Sequence, residues 1–193
     1  MSLEVILGIV ISGIITDNIV LSQTLGICPF LGVSKKLDSA LGMGFAVTFV
    51  LAISTVVCYF LYQLLVLLGY EYLQTILFIL IIAALVQVLD IVLKKLSPSL
   101  YNALGVYLAL ITTNCCVLGT ANAVIDNGYD VFTGLIHAIA IGLGFTLALV
   151  LMAGVRSKTE RSKTPKIFKG LPLALITAGI MSMAFAGFTG LGG

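Results

Sequence analysis

Two cysteines stand in matching settings, Cys28-Pro29-Phe30-Leu31-Gly32 and Cys115-Cys116-Val117-Leu118-Gly119, so the chain carries the pattern Cys-x-x-Leu-Gly twice. Each copy lies in a segment apolar enough for a lipid bilayer. A buried free cysteine ordinarily acts as a small hydrophobe. A thiol that recurs with glycine at one offset instead indicates backbone arranged around a sulfur. Two such sulfurs at membrane depth point to a metal or redox centre, and a Cys28–Cys115 disulfide is the chemical competitor.

The remaining candidates separate by their neighbours. Cys58, in Val56-Val57-Cys58-Tyr59, has no polar neighbour and reads as packing. Cys116 adjoins Cys115, but adjacent helical residues point roughly 100° apart, and the shared Leu-Gly offset selects Cys115. His137, the single histidine, sits between Ile136 and Ala138 and reads as a satisfied interior residue. Iron–sulfur centres and structural zinc sites generally take four ligands. Cys28 and Cys115 therefore make half a site. The other half is expected from another subunit, most simply a homologous chain of opposite orientation.

These residues must be positioned by membrane helices. The chain is 60% hydrophobic and 9% charged, whereas a soluble domain is roughly a quarter charged. The expected class is an all-α integral membrane protein embedded in the lipid bilayer. Six apolar stretches, approximately 3–27, 40–68, 73–93, 104–125, 131–155 and 171–191, each reach the ~20 residues needed to cross ~30 Å of hydrocarbon. Met1-Ser2-Leu3-Glu4 has no basic region typical of a removable signal peptide. Only Arg156 to Lys169 is polar at length, and no Gly-rich phosphate loop is present. The reading is one membrane domain over 1–193, with nucleotide and soluble redox sites on other chains.

Charge sets the expected orientation. The ten Lys and Arg fall in three places: Lys35 and Lys36, Lys94 and Lys95, and the run Arg156, Lys158, Arg161, Lys163, Lys166 and Lys169. The positive-inside rule assigns these loops to the cytoplasm and both termini to the outside. The net charge of +2 follows from this topology and implies no nucleic-acid partner.

Three spans per half is an odd number, so two repeats, approximately 1–96 and 97–193, would be inverted relative to each other. Inverted repeats place sites near the midplane on discontinuous helices, and the twin motif falls in the equivalent spans one and four. From Leu3 to Ser34 a continuous helix would run about 48 Å, too long for the core, which predicts a break near Gly26 and Pro29. Thr112-Thr113-Asn114 would serve the break in span four, satisfying backbone groups that lipid could not. The alternative is a tilted, continuous span with a proline kink. Asp17, well inside the first segment, is either a functional ionisable group or, with Asn18, a brace for the broken helix. Asp90, four residues before Lys94 and five before Lys95, reads as a member of an interfacial ion pair.

The run Leu25-Gly26-Ile27-Cys28-Pro29-Phe30-Leu31-Gly32-Val33-Ser34-Lys35-Lys36, with Leu110-Ile111-Thr112-Thr113-Asn114-Cys115 and Ser97-Pro98-Ser99-Leu100-Tyr101, resembles the RnfA/NqrE family of membrane subunits. These belong to the Rnf ferredoxin:NAD oxidoreductase and the sodium-pumping quinone reductase, and the resemblance covers essentially the whole chain. It implies six spans and a prokaryotic inner-membrane, multi-pass location. It also implies an intramembrane [2Fe-2S] cluster shared with an oppositely oriented RnfE-like sister, each chain supplying two cysteines, here Cys28 and Cys115. Cys116 stands where many members have alanine. By this resemblance the chain is one subunit of an ion-translocating oxidoreductase with no complete active site of its own, and flavins and NAD are held by other Rnf-type subunits. The alternatives from the residues alone are a small ion-coupled secondary transporter and a membrane thiol-disulfide oxidoreductase.

Overall fold

A computed structural model describes residues 3–96, 110–111, 113–159, 165 and 168–188. The described residues form helices, turns and irregular segments, without a strand. In chain order the helices are α1 (Leu3–Ile11), a π-helical turn (Ser12–Thr16), α2 (Ile27–Val33) and α3 (Leu37–Leu68). A 3₁₀ turn (Glu71–Leu73), α4 (Gln74–Leu96), α5 (Cys115–Asp126), α6 (Val131–Thr159) and α7 (Leu171–Ala186) follow. Of these, α3, α4 and α6 are long and apolar enough to cross a membrane. The segments containing α1, α5 and α7 are shorter apolar helices. The start of the fourth stretch at Leu104, the Ser97–Tyr101 motif and the end of the sixth stretch lie outside the described residues.

The first segment is broken over 17–26, so the break reaches Gly26, where the sequence suggests one, but excludes Pro29. Helix α1 ends in the π-helical turn, closed by the Asp17 N–H on the Ser12 carbonyl at 2.7 Å. The chain then runs without helix until Ile27. Pro29 does not break a helix; it lies in the first turn of α2, where its missing N–H costs nothing because first-turn N–H groups have no intrahelical partner.

Asn18 satisfies the polar backbone that this break releases. Fully buried, it donates from Nδ2 to the carbonyls of Gly144 at 2.8 Å and Ile14 at 3.1 Å. Its Oδ1 accepts from the N–H groups of Val20 at 3.2 Å and Leu21 at 3.3 Å. All its side-chain capacity thus goes to backbone, which is what lets irregular chain exist at membrane depth. A further tie comes from Ser182 of α7, whose hydroxyl donates to the Leu21 carbonyl.

The central pair is α3 and α6, the most extensive helix contact among the described residues. They meet through a reciprocal arrangement. A Cβ placed on Gly44 would overlap Thr146 Oγ1, and one on Gly142 would lie 2.5 Å from Thr48 Oγ1. Each threonine also turns its hydroxyl onto the glycine carbonyl of its own helix, Thr48 onto Gly44 and Thr146 onto Gly142, both at 2.8 Å. Without a hydrophobic drive between helices in lipid, close approach over small residues is what holds such a pair. The burial pattern repeats with it. Ala40, Met43, Val47, Val50, Leu51, Ser54, Thr55 and Cys58 of α3 are buried, and so are Ala138, Ile141, Phe145, Ala148, Leu149, Met152, Ala153 and Arg156, each at the same offset that separates Gly44 from Gly142.

Arg156 is the exception in chemistry within that pattern. Only 7% exposed, it donates from Nη1 to the Leu31 carbonyl at 2.7 Å and to Ser34 Oγ at 3.0 Å. A cation thus sits where α2 presents unpaired carbonyls and the negative end of its dipole.

Candidate functional site

The start of α2 and the start of α5 come together. Gly26 caps α2 in the left-handed region, with φ of 79°, and its N–H donates to Sγ of Cys115 at 3.0 Å. A side chain at residue 26 would be strained at that φ and would also meet Phe145 at 2.9 Å and Asn114 Oδ1 at 3.2 Å. Cys28 follows in the first turn of α2, and Cys115 is the first residue of α5. All four cysteines are free thiols, Cys28 and Cys115 exposed, Cys58 and Cys116 buried. The two sulfurs singled out by the repeat are therefore the accessible ones.

Asn114 sets the direction of the Cys115-Cys116 pair. As N-cap of α5 it accepts the Cys116 N–H on Oδ1 at 3.1 Å, which satisfies one of the helix's unpaired donors. Cys116 is then fully buried, with its carbonyl receiving the Thr120 hydroxyl at 2.9 Å. Cys115, one residue earlier, points outward.

The repeated glycines work by packing rather than by backbone conformation. Neither Gly32 nor Gly119 is among the residues with positive φ. Gly119 makes room for Leu25, whose Cδ1 is 2.6 Å from where a Cβ would stand, and Gly32 lies against Leu110 at 3.5 Å. Each glycine lies against a leucine from the approach to the other motif, and only at Gly119 would a side chain collide with it. The glycine of the second Cys-x-x-Leu-Gly copy thus locks Leu25, on the approach to the first copy, against α5.

The chemistry of this donor set fits an iron–sulfur cluster at half its ligand count. Two accessible thiols lie at adjacent helix starts, and a backbone N–H already donates to one sulfur. Asn114 Nδ2, in a residue 5% exposed, is a buried donor without a hydrogen-bond partner among the described residues. Donors of this kind suit a sulfur-rich anionic group. No group of three or more His, Cys, Asp or Glu gathers among the described residues.

Other expectations fare differently. Asn18 is the brace of the broken helix, while Asp17 is exposed and accepts from Ser12 Oγ at 2.9 Å. His137 is not a satisfied interior residue: its Nδ1 is buried without a hydrogen-bond partner among the described residues, and its ring stands T-shaped to that of Tyr129 at a centroid distance of 5.4 Å. The Lys94 side chain expected to pair with Asp90 lies outside the described residues. In the sequence Arg156 is legible only as a positive-inside charge; the signal for more is that it directly follows the apolar run ending Gly154-Val155.

Residues 6–192 match the family model of the Rnf-Nqr subunit, a membrane protein. The A subunit of the Na⁺-translocating ferredoxin:NAD⁺ oxidoreductase complex of Acetobacterium woodii is 55% identical over 184 residues, covering 95% of this chain and 96% of the relative. The A subunit of the ion-translocating oxidoreductase complex of Syntrophotalea carbinolica is 50% identical, covering 96% and 97%. That of Vibrio cholerae is 48% identical, covering 95% of each. The chain belongs to the Rnf-Nqr family of prokaryotic membrane subunits.

Proposed function

We propose that this chain is the A-type membrane subunit of an ion-translocating ferredoxin:NAD oxidoreductase, an electron-transport translocase. In this reading Cys28 and Cys115 ligate a [2Fe-2S] cluster within the bilayer, and a homologous, oppositely oriented sister supplies the other two thiolates. The observation that carries the reading is the hydrogen bond from Gly26 to Cys115, which draws the two cysteine motifs into one site. The near-full-length relatives, which by name are the A subunits of such complexes, support it.

The architecture we infer is six spans in two inverted three-helix repeats, in a prokaryotic inner membrane with both termini outside. The reciprocal Gly44–Thr146 and Gly142–Thr48 contacts and the matched burial of α3 and α6 favour the inverted repeat, since a two-fold axis across an antiparallel pair exchanges its members.

The chain's residues have distinct parts. Cys28 and Cys115 provide soft thiolates, which select iron–sulfur centres over hard cations. The Gly26 N–H, and Asn114 Nδ2 where it finds an acceptor, stabilise negative charge at the sulfurs. Arg156 holds the far end of α2, so that Cys28 sits on a rigid half-helix. When bound, the cluster supplies a one-electron way station across ~30 Å of low-dielectric hydrocarbon. Flavins and NAD belong to other subunits.

The test is iron and acid-labile sulfide analysis of the purified chain, alone and co-expressed with its sister, together with the paramagnetic signal on reduction. Iron and signal should appear only on co-expression and vanish with Cys28→Ser or Cys115→Ser. A full cluster in a demonstrated monomer would falsify the shared-ligand reading.

A further inference from the structure

Arg156 carries more charge than its hydrogen bonds require. Its side chain is buried, and the two acceptors it serves, the Leu31 carbonyl and Ser34 Oγ, are both neutral. A glutamine amide could donate to either. No carboxylate is hydrogen-bonded to the guanidinium among the described residues, and Asp38, the carboxylate nearest α2 in the sequence, is exposed. A helix end offers roughly half an elementary charge, so the carbonyls of α2 leave a full positive charge under-compensated. Packing does not ask for that charge either. The matching position on α3, at the offset that relates Gly44 to Gly142, is Cys58, which is buried and neutral in the thiol form. Because burying an uncompensated charge is costly, an anion is called for within reach of its field.

In the proposed function that anion is held by the thiolates at the other end of the same half-helix. Leu31 stands three residues beyond Cys28, about 4.5 Å of helical rise, and Arg156 Nη1 is 2.7 Å from the Leu31 carbonyl oxygen. We infer that Arg156 raises the reduction potential of the centre held by Cys28 and Cys115, its buried charge favouring the electron received there. The inference rests on the cluster reading above. Iron–sulfur potentials respond to the charge around them, and a buried charge is screened far less than an exposed one. The neighbouring cations make the contrast: Lys35, Lys36 and Lys158 are exposed, and Arg156 is buried. The step concerned is a one-electron reduction in which no bond of the chain is made or broken. A cation favours the more negative, reduced state, so removing it lowers the potential.

The experiment is a potentiometric titration of the purified complex with dithionite as reductant and ferricyanide as oxidant, following the paramagnetic signal that Cys28→Ser abolishes. Two changes cancel the charge by different routes: Arg156→Gln removes it, and Ser34→Asp keeps the guanidinium but sets a carboxylate against it. At the potential where the parent is half reduced, each should lower the ratio of reduced to oxidised centre several-fold. Arg156→Lys, which keeps the charge, and Lys36→Gln, which removes an exposed one, should leave the ratio close to that of the parent. Ser34→Ala takes away one anchor of Arg156 without changing charge, so it should lower the thermal midpoint and leave the ratio unmoved. An unmoved ratio in Arg156→Gln overturns the inference. An equal fall in Ser34→Ala overturns it too, by tracing the shift to movement of α2. If Arg156→Gln does not retain iron, Ser34→Asp decides, and loss of iron from both assigns Arg156 to folding against the inference. A parent complex without a Cys28-dependent signal sinks the cluster reading, whereas a normal parent signal with an unmoved ratio sinks only the role of Arg156.

Discussion

The backbone N–H of Gly26 donates to Sγ of Cys115 across 3.0 Å, so the turn that leads into Cys28 hydrogen-bonds the sulfur of the other motif. The contact needs a residue without a side chain, since φ is 79° and Phe145 and Asn114 already occupy the space a Cβ would take. Gly26→Ala should therefore destabilise the protein by about 1–3 kcal/mol, from left-handed strain and overpacking together. A thermal midpoint indistinguishable from that of the parent complex would show that the turn relaxes without cost. Because the same change displaces a donor from Cys115, iron content should fall with the midpoint.

The two adjacent cysteines should behave as different residues. Cys115 is exposed and Cys116 fully buried, so in the chain expressed alone a maleimide should modify Cys28 and Cys115 before Cys58 or Cys116. In the complex, Cys116→Ser should leave iron in place while costing about 1–3 kcal/mol if its hydroxyl is left without a partner in the core. Iron lost from Cys116→Ser and retained in Cys115→Ser reverses the ligand assignment.

The site is more legible in the sequence than the break that builds it. Cys28 and Cys115 can be paired by their common Leu-Gly offset because a repeat is visible in one dimension. The reason for that offset is not, since Gly119 meets Leu25 and Gly32 meets Leu110 only in three dimensions. Pro29 suggests a break at itself, yet proline in a first turn is as favourable as proline mid-helix is costly. The true break rests on Asn18, whose four hydrogen bonds reach as far as Gly144, a partner that local pattern cannot supply. Apolar composition marks α3, α4 and α6 plainly, but it is blind to Arg156, where a charge that reads as a loop residue proves to be buried.

Arg156 joins α6 to the end of α2 through the Leu31 carbonyl and Ser34 Oγ. Arg156→Gln removes a charged donor whose hydrogen bonds are each worth about 1.5–3 kcal/mol, and α2 loses the cation at its negative end. The expected outcome is a lower thermal midpoint and broadening of the cluster's paramagnetic signal, as the half-helix carrying Cys28 loosens. Arg156→Lys should recover part of the stability and less of the signal, because an ammonium is a point charge and not a fork. An unchanged spectrum in Arg156→Gln would confine the residue to topology.

Orientation has its own check. With every Lys and Arg confined to three stretches of the sequence, 35–36, 94–95 and 156–169, a periplasm-active reporter fused after Gly193 should report and a cytoplasm-active one should stay silent. The reverse pattern overturns the six-span arrangement with both termini outside.

The reciprocal glycine–threonine contacts offer a quantitative test of the inverted repeat. Gly44→Ala drives a methyl into Thr146 Oγ1, and Gly142→Ala places one 2.5 Å from Thr48 Oγ1. Each should destabilise by about 1–3 kcal/mol. Trimming the opposing threonine removes its Oγ1 and Cγ2, the two nearest atoms, and leaves only its Cβ, at 2.8 Å, so Gly44→Ala with Thr146→Ala should cost less than the sum of the single changes. Residues in contact show couplings of roughly 0.5–3 kcal/mol in such cycles. If α3 and α6 are related by a two-fold axis, the Gly142→Ala, Thr48→Ala cycle must return a coupling of the same sign and similar size, measured by thermal unfolding in one detergent. The crossed pairs Gly44→Ala with Thr48→Ala and Gly142→Ala with Thr146→Ala remove no interhelical clash and should lack that relief. Strong coupling in one cycle and none in its mirror would leave the two helices in contact but unrelated by symmetry.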